Sequence, residues 1–151
     1  MVKTEIFCEY KGLLKFNMYN IKNVLDCSAN ISDDFIKKNF LTYKYIPSKK
    51  WNKSYYCFNY ALNNKSFLFV EDCINYLIDN YILIKKKNIR KNDIIAFADN
   101  FDFLHFAKVS KIIKKNIFIK AKLGQYNIYE YNINDNFLIC GDRYIIFRKK
   151  I

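Results

Sequence analysis

Two side chains in this sequence have the types and settings for covalent chemistry: Cys57, within Tyr55-Tyr56-Cys57-Phe58-Asn59-Tyr60-Ala61-Leu62, and His105, the single histidine of the chain. A thiol attacking a carbonyl, with an imidazole taking its proton and returning it to the leaving group, is the chemistry such a pair supports. Cys57, Tyr60 and Ala61 keep the i, i+3, i+4 spacing of one helical face, which puts the thiol in a first turn. There the helix dipole and the free backbone N–H groups favour thiolate, and the same N–H groups can receive an oxyanion. The alternative for each residue is a satisfied position in the core. Cys8, Cys27, Cys73 and Cys140 take that alternative, since none opens a helix and Cys73 falls on an apolar face, and five scattered cysteines with no CxxC pair and one histidine form neither a zinc set nor a disulfide framework. No metal and no cofactor is expected.

The elements that must position this pair follow from hydrophobic rhythm. Residues 4–16 read as one or two short strands broken at Lys11-Gly12, and Ser32-Asp33-Asp34 caps a helix running through Phe35, Ile36, Phe40 and Leu41. After Pro47 and a polar approach comes the Cys57 helix, followed by a second helix over 69–81 with Cys73, Ile74, Leu77 and Ile78 on its apolar stripe. The period then changes to that of strands, at 94–98, 104–113, 117–123, 126–131 and 144–147, with a turn near Lys114-Lys115 joining the second and third as a hairpin.

Hairpin geometry supplies a candidate for the third group. If the turn centres on Lys115, His105 lies opposite Gln125, whose side-chain carbonyl could accept the imidazole N–H; Glu130 is the fallback. Tyr56 and Trp51 are candidates for lining a substrate, with cover of the core as the alternative for each. Asp93 is expected to orient a loop or cap a strand.

Composition sets the outer bounds. At 151 residues and 52% hydrophobic, the chain can bury a core as one domain, and 3 Gly and 1 Pro leave no room for a flexible linker. Glu5, Glu9, Lys11 and Lys15 interrupt every early apolar run, so no Sec signal is read. Glu71, Asp72 and Asp79 exclude a membrane span around 67–84, and a cytoplasmic location with reduced thiols is expected, with non-Sec export or phage-associated release as other routes. The net charge of +12 suits an anionic polymer or protein partner. The basic residues are nevertheless spread out within a Lys, Asn, Ile, Tyr and Phe usage typical of A/T-rich codons, and no RNP, KH or helix-turn-helix signature points to nucleic acid.

Three segments carry a family resemblance. Tyr56-Cys57-Phe58-Asn59-Tyr60-Ala61-Leu62 is similar to the nucleophile helix of NlpC/P60-type cysteine hydrolases. Asn92-Asp93-Ile94-Ile95-Ala96-Phe97 is similar to their Gly-Asp-apolar strand, and His105-Phe106-Ala107-Lys108-Val109 to their His-Val-Gly/Ala-x-Val. Lys120-Ala121-Lys122-Leu123-Gly124-Gln125 also resembles a Ser-Lys-Trp-Gly-like strand of small bacterial proteins in that superfamily. Asn92 and Ala121 depart from the usual Gly and Ser. The resemblance implies an α+β, papain-like fold with N-terminal helices packed on an antiparallel β-sheet, in one domain over 1–151 with an accessory segment at 1–50 and a catalytic core at 51–148. It implies a peptidase or amidase that cleaves an amide or isopeptide bond, in a peptide or peptidoglycan-like substrate, through a Cys57 thioester with His105 as base. A catalytically inactive module holding an anionic polymer or protein is the alternative.

Overall fold

The computed structural model describes residues 18–26, 32–99, 102–123 and 127–151. The strands expected over 4–16, together with Cys8, Cys27 and Gln125, lie outside them. The elements in chain order are β1 (Tyr19–Asn20), α1 (Asp33–Asn39), β2 (Lys44–Ile46), α2 (Cys57–Ala61), α3 (Val70–Asn80), β3 (Tyr81–Ile84), β4 (Ile94–Ala98), β5 (Phe103–Ile113), β6 (Asn116–Lys122), β7 (Ile128–Asn132) and β8 (Arg143–Lys149). The strands form one eight-stranded sheet in the order β1-β8-β4-β5-β6-β7-β2, with β3 also paired to β8, and every strand pair is antiparallel.

This architecture overturns the α+β, papain-like expectation of N-terminal helices packed on an antiparallel sheet. Of the described residues 37% lie in strands and 26% in helices. The physical reason is visible before residue 51: β1 and β2 join the sheet through Tyr19↔Tyr144 and Tyr45↔Tyr129 pairings, and the one helix among the described residues there has seven residues. Tyrosine and isoleucine favour such half-buried pleated positions over helix.

The β5–β6 hairpin forms as its alternation requires, with Lys114 in the left-handed region at its turn (φ 57°). A register shift between Val109 and Lys111 leaves Ser110 as the extra residue, so the pairs run from Ile113↔Asn116 to Lys108↔Lys120. β4 is buried on both sides, which is why its sequence is an unbroken apolar run. Ile95 and Phe97 join Ala107, Val109, Ile119, Tyr129, Tyr131 and Tyr144 on one face of the sheet. Ile94, Ala96 and Ala98 meet Phe103, Phe106, Ile145 and the two helices α2 and α3 on the other.

Each helix has a local cause. Ser32 Oγ accepts the Phe35 N–H at 3.1 Å and starts α1, whose Ile36 is fully buried. Asp72 accepts from the N–H groups of Phe69 (3.0 Å) and Leu68 (3.1 Å) and starts α3, which presents Cys73, Ile74 and Leu77 to the sheet. Burying a side chain such as Leu77 contributes about 1.5–3 kcal/mol. Asn92 has φ 74°, a backbone region where glycine is at ease and asparagine is tolerated, so its standing in place of glycine is accommodated. The neighbouring Asp93 does orient a loop: it accepts the Arg90 N–H at 2.8 Å and holds Arg148 through two 2.8 Å contacts. Among the described residues no helix is long and apolar enough to cross a membrane.

Candidate active site

Cys57 opens α2, as the spacing predicts, but the helix has only five residues. Asn59 fixes it: its Oδ1 accepts the Tyr56 N–H at 3.0 Å, and its Nδ2 donates to the carbonyls of Asn64 and Phe67, both at 2.9 Å. With 1% of its surface exposed, Asn59 therefore ties the start of α2 to the loop that leads into α3. α2 packs on both β5 and β6, where the named β5–β6 pairs have ended.

Here Cys57 and His105 line one cavity of about 400 Å³, together with Tyr56, Phe106, Leu123 and Cys140. The pair that the sequence singled out is brought to one site from two elements. Its electrostatics reverse the expected activation, however. Burial pushes the Cys57 thiol up to about 11, outweighing the backbone amides of Phe106, Phe58 and Cys57 itself and the Lys122 charge, all of which favour thiolate. Burial alone lowers His105 to about 4. The short helix contributes too little to offset desolvation, so at neutral pH the site holds a thiol and a neutral imidazole.

The imidazole is oriented by a chain of hydrogen bonds that begins at a backbone carbonyl. The buried Asn136 donates Nδ2 to Gly141 O at 3.1 Å and to Phe137 O at 3.4 Å, which assigns its Oδ1 as acceptor. Tyr131 donates its hydroxyl to that Oδ1 at 3.1 Å, and its oxygen lies 3.4 Å from His105 Nε2. With the phenol proton committed to Asn136, the oxygen accepts from Nε2–H, and Nδ1 keeps the lone pair. Phe97 stacks on the ring at 5.3 Å between centroids. Gly141 is required at the start of this chain: at φ 115°, a Cβ there would sit 2.8 Å from the Ala98 backbone.

The other candidates distribute as follows. Tyr56 lines the cavity and is 40% exposed, whereas Trp51 packs against Tyr60 and Ile128 away from it, serving as cover. Glu130 does not line the cavity and pairs with Lys111 at 3.4 Å; its neighbour Tyr131 is the β7 residue that reaches His105. Gln125 lies outside the described residues. The register on which it rested is displaced by one residue because the turn falls between Lys114 and Lys115, pairing Ile113 with Asn116, and by a second because of the bulge at Ser110, so continuing the observed pairing puts Leu123 opposite His105.

Sequence reasoning missed Tyr131, Asn136 and Lys122. Lys122 is fully buried at the end of β6; burial lowers its pKa, while the charges of Asp33 and of a Cys57 thiolate raise it. By period two it shares a face with Phe118 and Lys120, and nothing local marks it as covered. Asn136 did carry a signal, as a polar residue beside the run 137–140, but its partners are set by the loop that brings Gly141 back. No protein-family model, no curated protein and no solved structure matches this chain.

Proposed function

We propose that the protein is a thiol hydrolase of the peptidase or amidase type, with Cys57 as nucleophile and His105 as base. The observation that carries the reading is the shared cavity, in which an imidazole with its tautomer set by Tyr131 and Asn136 stands with a buried thiol. The resemblance of residues 56–62, 92–97 and 105–109 to NlpC/P60-type hydrolases supports the same chemistry. The Cys57 proton passes to His105 Nδ1 as sulfur attacks the substrate carbonyl, and the amides of Phe106 and Phe58 receive the oxyanion. The imidazolium then protonates the leaving amine as the C–N bond breaks, leaving a Cys57 thioester. Water, deprotonated by His105, hydrolyses it. Because thiol and imidazole are both neutral at rest, the thiolate forms with the substrate in place rather than in advance.

The test is acylation by p-nitrophenyl acetate at pH 7.5, read by peptide mass spectrometry. One acetyl group is expected on Cys57, forming about 10²–10⁴-fold more slowly in His105→Ala. Adducts spread over Cys73 and Cys140, or a Cys57 rate indifferent to His105, would remove the catalytic pair. Iodoacetamide should discriminate little at neutral pH, since Cys57 titrates near 11.

The second reading, an inactive module that holds an anionic polymer, has one observation in its favour. Burial and the charges of Lys120 and Lys50 lower the Lys108 ammonium, which lies 4.7 Å over the Tyr60 ring. Crowded cations of this kind are relieved by an anion. Heparin binding that weakens steeply with salt and is lost in Lys108→Ala/Lys120→Ala, with no acylation of Cys57, would select this reading.

A further inference from the structure

A second cavity, of about 250 Å³, lies between α3 and the sheet. Ile74 and Leu77 of α3, Ala96 of β4 and Phe147 of β8 wall it, and among the described residues no side chain that lines it is charged. Its rim includes Ile82, which is 48% exposed, and Tyr81, the one lining residue with a hydroxyl. Phe103 and Phe106, whose rings lie 6.2 Å apart, also line the Cys57 cavity, so the two spaces adjoin there.

Protein interiors are close-packed, and an apolar cleft of this size that opens to solvent is a place for an apolar guest. The lining decides which guest. A peptide segment would bring backbone N–H and C=O groups into walls that offer a single hydroxyl, and each unpaired group is costly. An aliphatic chain has no such groups. Both spaces open to solvent and adjoin at Phe103 and Phe106, so a chain seated in the apolar one can lay its polar end over these rings towards the thiol and the imidazole.

We propose that this cavity holds the aliphatic tail of an acyl substrate whose carbonyl is presented to Cys57, making the substrate class a fatty acyl amide or ester. The placing of the carbonyl rests on the thiol hydrolase reading above; the binding of the chain does not. In the reaction Cys57 sulfur forms a bond to the acyl carbon as the bond to the amine or alcohol breaks, and the leaving group takes the proton from His105. Water then releases the fatty acid.

The experiment has two arms on the full chain. Calorimetric titration with decanoate should show binding of equal strength in the wild type and Cys57→Ala, at least 10-fold weaker in Ala96→Phe, which fills the cavity. In the second arm p-nitrophenyl decanoate should acylate Cys57 at least 10-fold faster than p-nitrophenyl acetate, a ratio that collapses towards one in Ala96→Phe. Should Ala96→Phe fail to fold, Leu77→Ala enlarges the space and should favour dodecanoate over decanoate by about 4-fold per added CH₂. No decanoate binding, or binding and chain preference that ignore both substitutions, overturns the proposal. Binding of N-acetylphenylalanine amide in place of decanoate overturns it as well. Decanoate binding with no acylation of Cys57 by either ester supports the chain site and defeats the thiol reading.

Discussion

The two faces of the sheet are built on different principles. One is rich in tyrosines whose hydroxyls are engaged: Tyr43 with the Asp135 carbonyl, Tyr129 with Asp33 at 2.8 Å, and Tyr131 with Asn136, while Tyr43 and Tyr131 stack with their rings 4.1 Å apart. The other is packed under α2 and α3 with Ile, Leu, Phe, Ala and Cys73, and it carries the 250 Å³ cavity. The tyrosine face holds geometry through directional bonds, and His105 is its product. The helix face is held by packed volume, with Asn59 and Asp72 fixing the starts of its helices, and has room to receive a guest. Cys57 belongs to the second face and His105 to the first; they meet where β5 and β6 part.

That contrast can be broken from either side. On the helix face, Leu77→Ala should lower the urea unfolding free energy by about 3 kcal/mol, because Leu77 is 2% exposed and the added void cannot collapse. A loss below about 1 kcal/mol would mean that the helix is not held there by packing.

Acid should act through the tyrosine face. His105 titrates near 4 when folded against an ordinary 6.5, so between those values the unfolded chain binds the extra proton. Stability is complete above pH 6.5 and is lost as pH falls towards 4, by up to about 3 kcal/mol. His105→Gln should flatten this slope in denaturant titrations run across the window; an unchanged slope would place the acid sensitivity elsewhere.

A smaller effect is expected from Tyr131→Phe. It leaves Asn136 Oδ1 without its donor, costing about 1–2 kcal/mol, and frees the imidazole to change tautomer. Nitrogen-15 shifts of His105 should therefore move from the Nε2–H form towards a mixture, and Cys57 acylation should slow. Smallest of all is Asn92→Gly, with a change within about 0.5 kcal/mol, since both residues accept φ 74°. Asn92→Val at the same position should cost more, because a branched Cβ resists that conformation.

How much was legible follows the range of each interaction. The β5–β6 hairpin, β4, α3 and the Ser32 cap are written in local spacing, and they form where that spacing puts them. Cys57 and His105 were legible as types in a setting. The fold class was not: whether a segment such as Lys44–Ile46 becomes an edge strand depends on β7 offering Ile128 and Tyr129 as partners, more than 80 positions away. The third group escaped for a related reason. One bulged residue, Ser110, shifts every pairing beyond it, and the side chain that reaches His105 comes from β7 and not from the hairpin partner. Thiol activation was misjudged because burial, which dominates it, is a tertiary quantity, whereas the start of a helix can be read locally.

The packing of Trp51 gives the molecule an internal optical reporter. It is the sole tryptophan among 13 tyrosines, 8% exposed, with Tyr55 and Tyr60 set edge-on at 5.6 and 5.7 Å and the ammonium groups of Lys50 and Lys65 each 5.4 Å from its ring. Light absorbed by those tyrosines will pass to the indole and leave as blue-shifted emission only while the chain is folded. Because Trp51 touches neither cavity, its spectrum should stay constant as a substrate enters and change only on unfolding.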